Sequence, residues 1–356
     1  MLPRKVSFTY APYRLKFKEP AGTSRGVMME KPIFLIRITD LENPERKGYG
    51  EVPVFPGLSI ESMADLEEKL RLLCQATSLE DLPDYSDMSS LIFGMEQAIA
   101  QLSRDDGLIF PSFFTSGETS ITINGLIWMG DFEKMRERIV QKLNEGFHCI
   151  KIKIGAINWD EELRLLGFIR EVAGDDITIR VDANGAFSPK DCLRRIEQLA
   201  DYNIHSIEQP VRQGQLEEMR HICRHSHIPI ALDEELIGLP IGPERDILLD
   251  YVNPHYLILK PALCYGFSGA ADWMERAGQH NTGYWVTSAL ESSVGLNAIA
   301  QFTALKPLEM PQGLGTGNLF TNNFDSPLSL IGEKLEFTGN PDIYNQQLEE
   351  LNWIGQ

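Results

Sequence analysis

At 356 residues, with 43% hydrophobic and 24% charged side chains, the chain has ordinary globular composition and exceeds the usual single-domain length. Its formal net charge of -18 argues against nucleic acid or an anionic membrane surface as the main partner. The start, "MLPRKVSFTY", lacks a signal-peptide core, and no run approaches the roughly 18 apolar residues of a membrane span, so a soluble, cytoplasmic protein is expected.

Residues 1 to about 118 open with "VSFTYAPYRLKF", "KPIFLIRITD" and "KGYGEV", which read as an antiparallel meander. Two helical patterns follow, "IESMADLEEKLRLLCQ" and "DMSSLIFGMEQAIAQLSRD", and together these predict an α+β cap completed by the tail 325–356. The glycine- and proline-containing stretches "EPAGTSRG" and "PVFPGLS" are expected to be loops able to reach over a neighbouring site.

From 119 to 324 the pattern changes. Short β-rich runs ("SITINGLIW", "CIKIKIG", "ITIRVDANG", "HSIEQP", "IPIALDE", "YLILKP", "GYWVTSA") recur mostly about 28 residues apart, with helical patterns between them. Strands this continuously apolar suit a parallel sheet covered on both faces. The expected fold is α/β, a modified (β/α)7β TIM-like barrel whose eighth strand is the irregular, glycine-rich "PQGLGTGNLF". A doubly wound open sheet is the alternative, disfavoured because no G-x-G-x-x-G follows the first strand of the series. Five cysteines without a C-x-x-C pair read as reduced core thiols, and "HICRHSH" reads as a solvated helix end rather than a zinc site.

Catalytic residues of a parallel barrel sit where strands end. Here the second strand ends with Lys151 and Lys153, the third with Asp182, the fourth with Glu208, the fifth with Asp233 and Glu234, and the sixth with Lys260. Acidic residues at strand ends often cap the following helix, but three in succession with no His or Cys in line suggest a hard oxygen site for Mg²⁺, with Mn²⁺ as a substitute. Asp233 is preferred to Glu234 as the third ligand because successive side chains of a regular strand point to opposite faces. Burial, a neighbouring ammonium and a nearby cation should each lower a lysine pKa, making one lysine a general base. The chemistry this predicts is proton abstraction beside the carboxylate of a small-molecule substrate.

These residues resemble the enolase superfamily over essentially the whole chain: "KIK", "VDANGAF", "IEQP", "LDEE" and "LKP". The lysine pair with Lys260 opposite resembles its muconate lactonizing subgroup. Within that subgroup "TSALESSVGLNAIAQ" and "QGLGTGNLFTNN" are most similar to the o-succinylbenzoate synthase family of menaquinone biosynthesis. The resemblance implies Mg²⁺-dependent dehydration of 2-succinyl-6-hydroxy-2,4-cyclohexadiene-1-carboxylate. Lys153 would be the base, Lys260 a cation over the enediolate and Lys151 a tuning neighbour, with Asp182, Glu208 and Asp233 as metal ligands. The succinyl tail is expected against Thr287 and Ser288 and their amides, with Gly313 giving close backbone approach and Arg25 closing from the cap. Racemization of N-succinylamino acids is the competing activity. Dipeptide epimerases of the family carry an Asp-x-Asp on the eighth strand, where this chain has "GLGTGNL".

Overall fold

The computed structural model describes residues 2–23 and 26–355, so the expectation for Arg25 lies outside the described residues. Strands β1 (Val6–Thr23), β2 (Gly26–Asp40) and β3 (Lys47–Pro53) form an antiparallel sheet in that order. Alternation along β2 and β3 sends Phe34, Ile36, Ile38 and Val52 to one face, where α1 (Met63–Leu73) and α2 (Ser89–Leu102) cover them with Leu66, Leu70, Leu91 and Met95. Gly50 makes this possible: a Cβ there would lie 1.9 Å from the Gly94 carbonyl oxygen of α2. The stretch "EPAGTSRG" is not the loop expected of it, since β1 runs on to Thr23 and β2 restarts at Gly26, with a register shift between Lys16 and Ala21 absorbing the irregularity.

The run "SITINGLIW" divides into β4 (Ile121–Thr122) and β5 (Gly125–Ile127). A repeating series follows: α3 (Phe132–Asn144), β6 (Cys149–Lys153), α4 (Trp159–Ala173), β7 (Thr178–Asp182), α5 (Pro189–Ala200), β8 (Ile204–Glu208), α6 (Leu216–His225), β9 (Ile230–Leu232), α7 (Glu244–Val252), β10 (Tyr256–Leu259), α8 (Gly266–Gln279), β11 (Gly283–Val286) and α9 (Ser293–Thr303). Helix starts follow the sequence signals: Asp131, Asn158 and Ser188 each accept a first-turn amide of α3, α4 and α5. The "HICRHSH" stretch ends α6, with His221, His225 and His227 exposed.

All seven strands β5–β11 pair in parallel, in the order β11-β10-β9-β8-β7-β6-β5. The curled sheet is joined across its two edges by the irregular segment after α9. Gln312 bridges to Ile123, Gly313 bridges to Thr287, and the Gly313 amide donates to the Val286 carbonyl at 2.8 Å. Apolar side chains such as Ile152, Val181, Ile207, Leu232 and Leu259 fill the core between sheet and helices.

Beyond the barrel, β12 (Leu328–Ile331) pairs with β13 (Lys334–Phe337) and β13 with β4, whereas α10 (Asn345–Glu349) and Ile354 return to the antiparallel sheet, Ile354 bridging to Tyr10. Among the described residues no helix is long and apolar enough to cross a membrane.

Candidate active site

Parallel register assembles the site. Lys153 is paired with Asp182, and Asp182 with Glu208, so three strand ends present a lysine and two acids side by side. Lys151, two residues back on the same face as Lys153, reaches both acids, with its Nζ 3.0 Å from Asp182 Oδ2 and 2.6 Å from Glu208 Oε2. Lys153 Nζ lies 3.4 Å from Asp182 Oδ2 and donates to Asn184 Oδ1 at 2.6 Å. Across the mouth, Lys260 follows the end of β10 and is ion-paired with Asp233.

Strand β9 ends at Leu232, earlier than a regular strand would, and Glu234 begins a 3-10 turn. The alternation argument against Glu234 therefore fails. It lines the same pocket, and its Oε1 accepts from Asn184 Nδ2 at 3.2 Å.

The pocket holds about 790 Å³ of empty space, counting open solvent at its mouth. Lys151, Lys153, Asp182 and Lys260 line it together with Thr287, Ser288, Ala289, Leu290 and Gly313. Phe55 and Leu58 of "PVFPGLS" reach over it, as the loop reading of that stretch expected. The structure thus gathers the lysines with Asp182, Thr287, Ser288 and Gly313, while Glu208 and Asp233 sit buried beside them.

The amides of Thr287 and Ser288 are a correction. They donate to Leu259 and Gly313 carbonyls, so barrel closure has already used them. What that wall offers instead is hydroxyl chemistry, Thr287 Oγ1 donating to the Gly313 carbonyl at 2.8 Å and Ser288 Oγ paired with Thr316 Oγ1 at 2.6 Å. Gly313 is needed because an added Cβ would fall 2.2 Å from Thr287 Oγ1.

Two of the lysines are held as cations. Burial would strip the proton from Lys151, but Asp182 and Glu208 outweigh it and the pKa is raised. Lys260 behaves alike: burial pulls down, Asp233 and Glu208 pull up, and the net direction is up. Asp182 responds in the complementary sense, since burial favours its neutral form but Lys151, Lys153 and Lys260 hold its pKa down. Glu208 does not, because burial and the charge of Asp182 push its carboxyl up to about 8 despite Lys151 at 2.6 Å. One ammonium serves two acids.

Among the described residues no three His, Cys, Asp or Glu side chains are arranged to hold a metal ion as they stand, the ammonium of Lys151 lying between Asp182 and Glu208. Yet Glu208 Oε1 and Asp233 Oδ1 are buried without a hydrogen-bond partner. Buried acceptors left open in this way fit a hard cation chemically.

Sequence reasoning missed Asn184 and Trp128. Asn184 has φ 42 and is followed by Gly185 at φ 73, so the Asn-Gly pair of "VDANG" carried the turn signal that aims the amide at Lys153. Trp128 closes "SITINGLIW" and lines the pocket at the end of the first barrel strand, a position the reading of strand ends began one strand too late to include.

The family model for enolase C-terminal domain-like proteins matches residues 134–333. The chain belongs to the enolase superfamily. An o-succinylbenzoate synthase of Desulfotalea psychrophila is 43% identical over 92% of this chain and 98% of its own length. The crystal structure of MenC from the same organism superposes with a TM-score of 0.82 at 40% identity, covering 93% of this chain and 99% of that one. An N-succinyl-L-Arg/Lys racemase of Bacillus cereus is 28% identical over 60% of this chain and 58% of its own. The acidic and basic groups here cluster where the parallel strands end, the face that carries active sites in barrels of this kind.

Proposed function

We propose that this protein is an o-succinylbenzoate synthase, a carbon-oxygen lyase that dehydrates 2-succinyl-6-hydroxy-2,4-cyclohexadiene-1-carboxylate to 2-succinylbenzoate in menaquinone biosynthesis, in the cytoplasm. The observation that carries the reading is the 43% identity to such a synthase over nearly its full length. The lysines that line the pocket supply its chemistry.

Lys153, on the last turn of β6 toward the pocket, removes the proton beside the substrate carboxylate. In its protonated form it then donates to the departing hydroxide on the same face, which makes the elimination syn. Lys260, on the opposite side, keeps its ammonium and stabilises the enediolate formed on proton loss. Lys151, between Asp182 and Glu208, holds positive charge next to Lys153. Asp182, Glu208 and Asp233 would hold Mg²⁺, or Mn²⁺ in its place, and Glu234 lines the same pocket. A divalent cation there would polarise the substrate carboxylate and draw the acids' charge away from the lysines. The succinyl arm packs toward Thr287, Ser288 and Gly313. Aromatisation drives the reaction forward.

N-succinylamino acid racemization is a second reading. The observation favouring it is the pair of lysines on opposite sides of one pocket, since two bases can exchange a proton on both faces. The test is an ultraviolet assay with the cyclohexadiene substrate, run with EDTA and after Mg²⁺ is restored. Loss of the diene absorbance only with metal supports the synthase. No conversion by folded protein supplied with Mg²⁺ rejects it, and α-deuterium exchange into N-succinylamino acids would then decide for the racemase.

A further inference from the structure

Between the antiparallel sheet and the barrel lies a second buried charge cluster that the chemistry above does not use. Lys31 of β2, Glu51 of β3 and Glu291 of the segment after β11 are each fully buried, at 0% exposure. Fully buried ionic groups are costly unless each is satisfied, and these have specific partners. Lys31 Nζ donates to the carbonyl of Ala289 at 2.5 Å and to that of Leu290 at 2.8 Å. Glu51 accepts the amides of Ser292 and Gly295 at 3.0 and 2.9 Å and the Ser292 hydroxyl at 2.5 Å, so an acid from the sheet caps the N-terminus of α9. Glu291 turns back to accept the Ala289 amide at 2.7 Å.

The segment held this way is the pocket wall itself. Ala289 and Leu290 both line the cavity that Lys151, Lys153 and Lys260 also line. Leu290 has φ 64, a left-handed conformation costly for a branched side chain, which persists only where surroundings impose it. The surroundings are the lysine and two acids: one ammonium on the two carbonyls, one carboxylate on the amide before them, another on the amides after. Phe55, which also lines the pocket, has Lys31 Nζ 5.9 Å from its ring centroid, so the same lysine touches the loop that reaches over the mouth.

We propose that Lys31 is a positioning residue for substrate binding: from the antiparallel sheet it fixes the Ala289–Leu290 peptides, and thereby the shape of the wall that receives the substrate's acyl arm. It does so with Glu51 and Glu291 anchoring the flanking amides. The residue touches no reacting atom. Its effect is on how well the non-reacting part of the substrate is bound, which separates it from the lysines of the mouth. The inference rests on the substrate assignment above for the identity of the arm, though not for the geometry.

Two readouts test it. In Lys31→Met, which keeps length and removes the donors, KM for the cyclohexadiene substrate should rise about tenfold or more while kcat stays within about threefold. Amide hydrogen exchange over residues 288–292 should quicken in the same variant, with or without substrate, while β10 keeps its protection. A purely structural role would lower the melting temperature and leave KM and the 288–292 exchange of folded protein unchanged, and that result overturns the proposal. Should Lys31→Met not fold, Lys31→Arg keeps the charge but not the fit to the two carbonyls, and its KM is read in the same way. If wild-type protein itself fails to convert the diene, the substrate assignment falls. Hydrogen exchange then still decides whether Lys31 positions the wall.

Discussion

Two buried lysines of this protein, Lys151 at the barrel mouth and Lys31 at the seam with the antiparallel sheet, are driven in opposite directions. Burial disfavours the ammonium in both. At the mouth Asp182 and Glu208 lie 3.0 and 2.6 Å away and raise the Lys151 pKa above the ordinary lysine value. At the seam the closest partners of Lys31 are neutral carbonyls; Glu291 and Glu51 act on it as charges, yet burial prevails and its pKa is lowered. A carbonyl dipole satisfies a donor without supplying the field of a full negative charge. Burial alone therefore does not set a lysine's charge; its nearest partner does. At the mouth Lys151 is held as a cation by two acids, while at the seam Lys31 spends its donors on two carbonyls.

The sharpest way to break this contrast is Lys153→Ala. General base catalysis is worth about 10²- to 10⁴-fold, so kcat should fall by at least that range while circular dichroism and the melting temperature barely change. Activity within a few-fold of wild type would remove the mouth from the mechanism. Mutations at the seam should show the reverse balance, with stability lost first.

The mouth was legible in the sequence and the seam was not, for a physical reason. Strand ends of a parallel barrel are brought together by register, so the order Lys153, Asp182, Glu208 along the chain becomes the order across the sheet. Lys31 begins a run, "KPIFLIRITD", that looks like any strand start, and although Glu51 lies on the neighbouring strand of its sheet, Glu291 and the Ala289 and Leu290 carbonyls reach it only through packing of that sheet against the barrel. The third acid shows the limit within the mouth itself, since alternation separates Asp233 from Glu234 only in a strand that continues, and β9 stops at Leu232. The facing acids, which raise the pKa of Lys151, were not weighed against like-charge repulsion in reading the sequence. The first cap loop was misjudged because its glycines sit at a hairpin arm whose strands tolerate a register shift.

Glu51→Ala sharpens the seam's side of the comparison. Removing one partner from a buried ionic group leaves the other uncompensated, at a cost of about 3–5 kcal/mol, and here the amides of Ser292 and Gly295 lose their acceptor as well. The melting temperature should drop clearly, with the folded fraction keeping kcat within about tenfold of wild type, an effect on turnover small beside that of Lys153→Ala. A stable Glu51→Ala protein would mean that α9 is capped without the sheet's help.

The smallest expected effect is a pH signature of Glu291. Burial first, and then the charge of Glu51, raise its carboxyl from 4.5 to about 7, with Lys31 opposing. The folded protein thus holds a proton that the unfolded chain releases, and Glu291 Oε1, buried without an acceptor or donor partner, is the oxygen placed to carry it. Stability owed to the protonated form is complete below 4.5, declines as pH rises through the interval, and is gone above about 7. At 1.36 kcal/mol per pKa unit, the whole drift is at most about 3 kcal/mol. Glu291→Gln keeps the shape and stays neutral, so its melting temperature relative to wild type should climb between pH 4.5 and 7 and then level off. A flat difference across that interval would mean that Glu291 is already ionised at its lower end, with Lys31 supplying enough charge to hold it so. The contrast between seam and mouth would then narrow to distance alone.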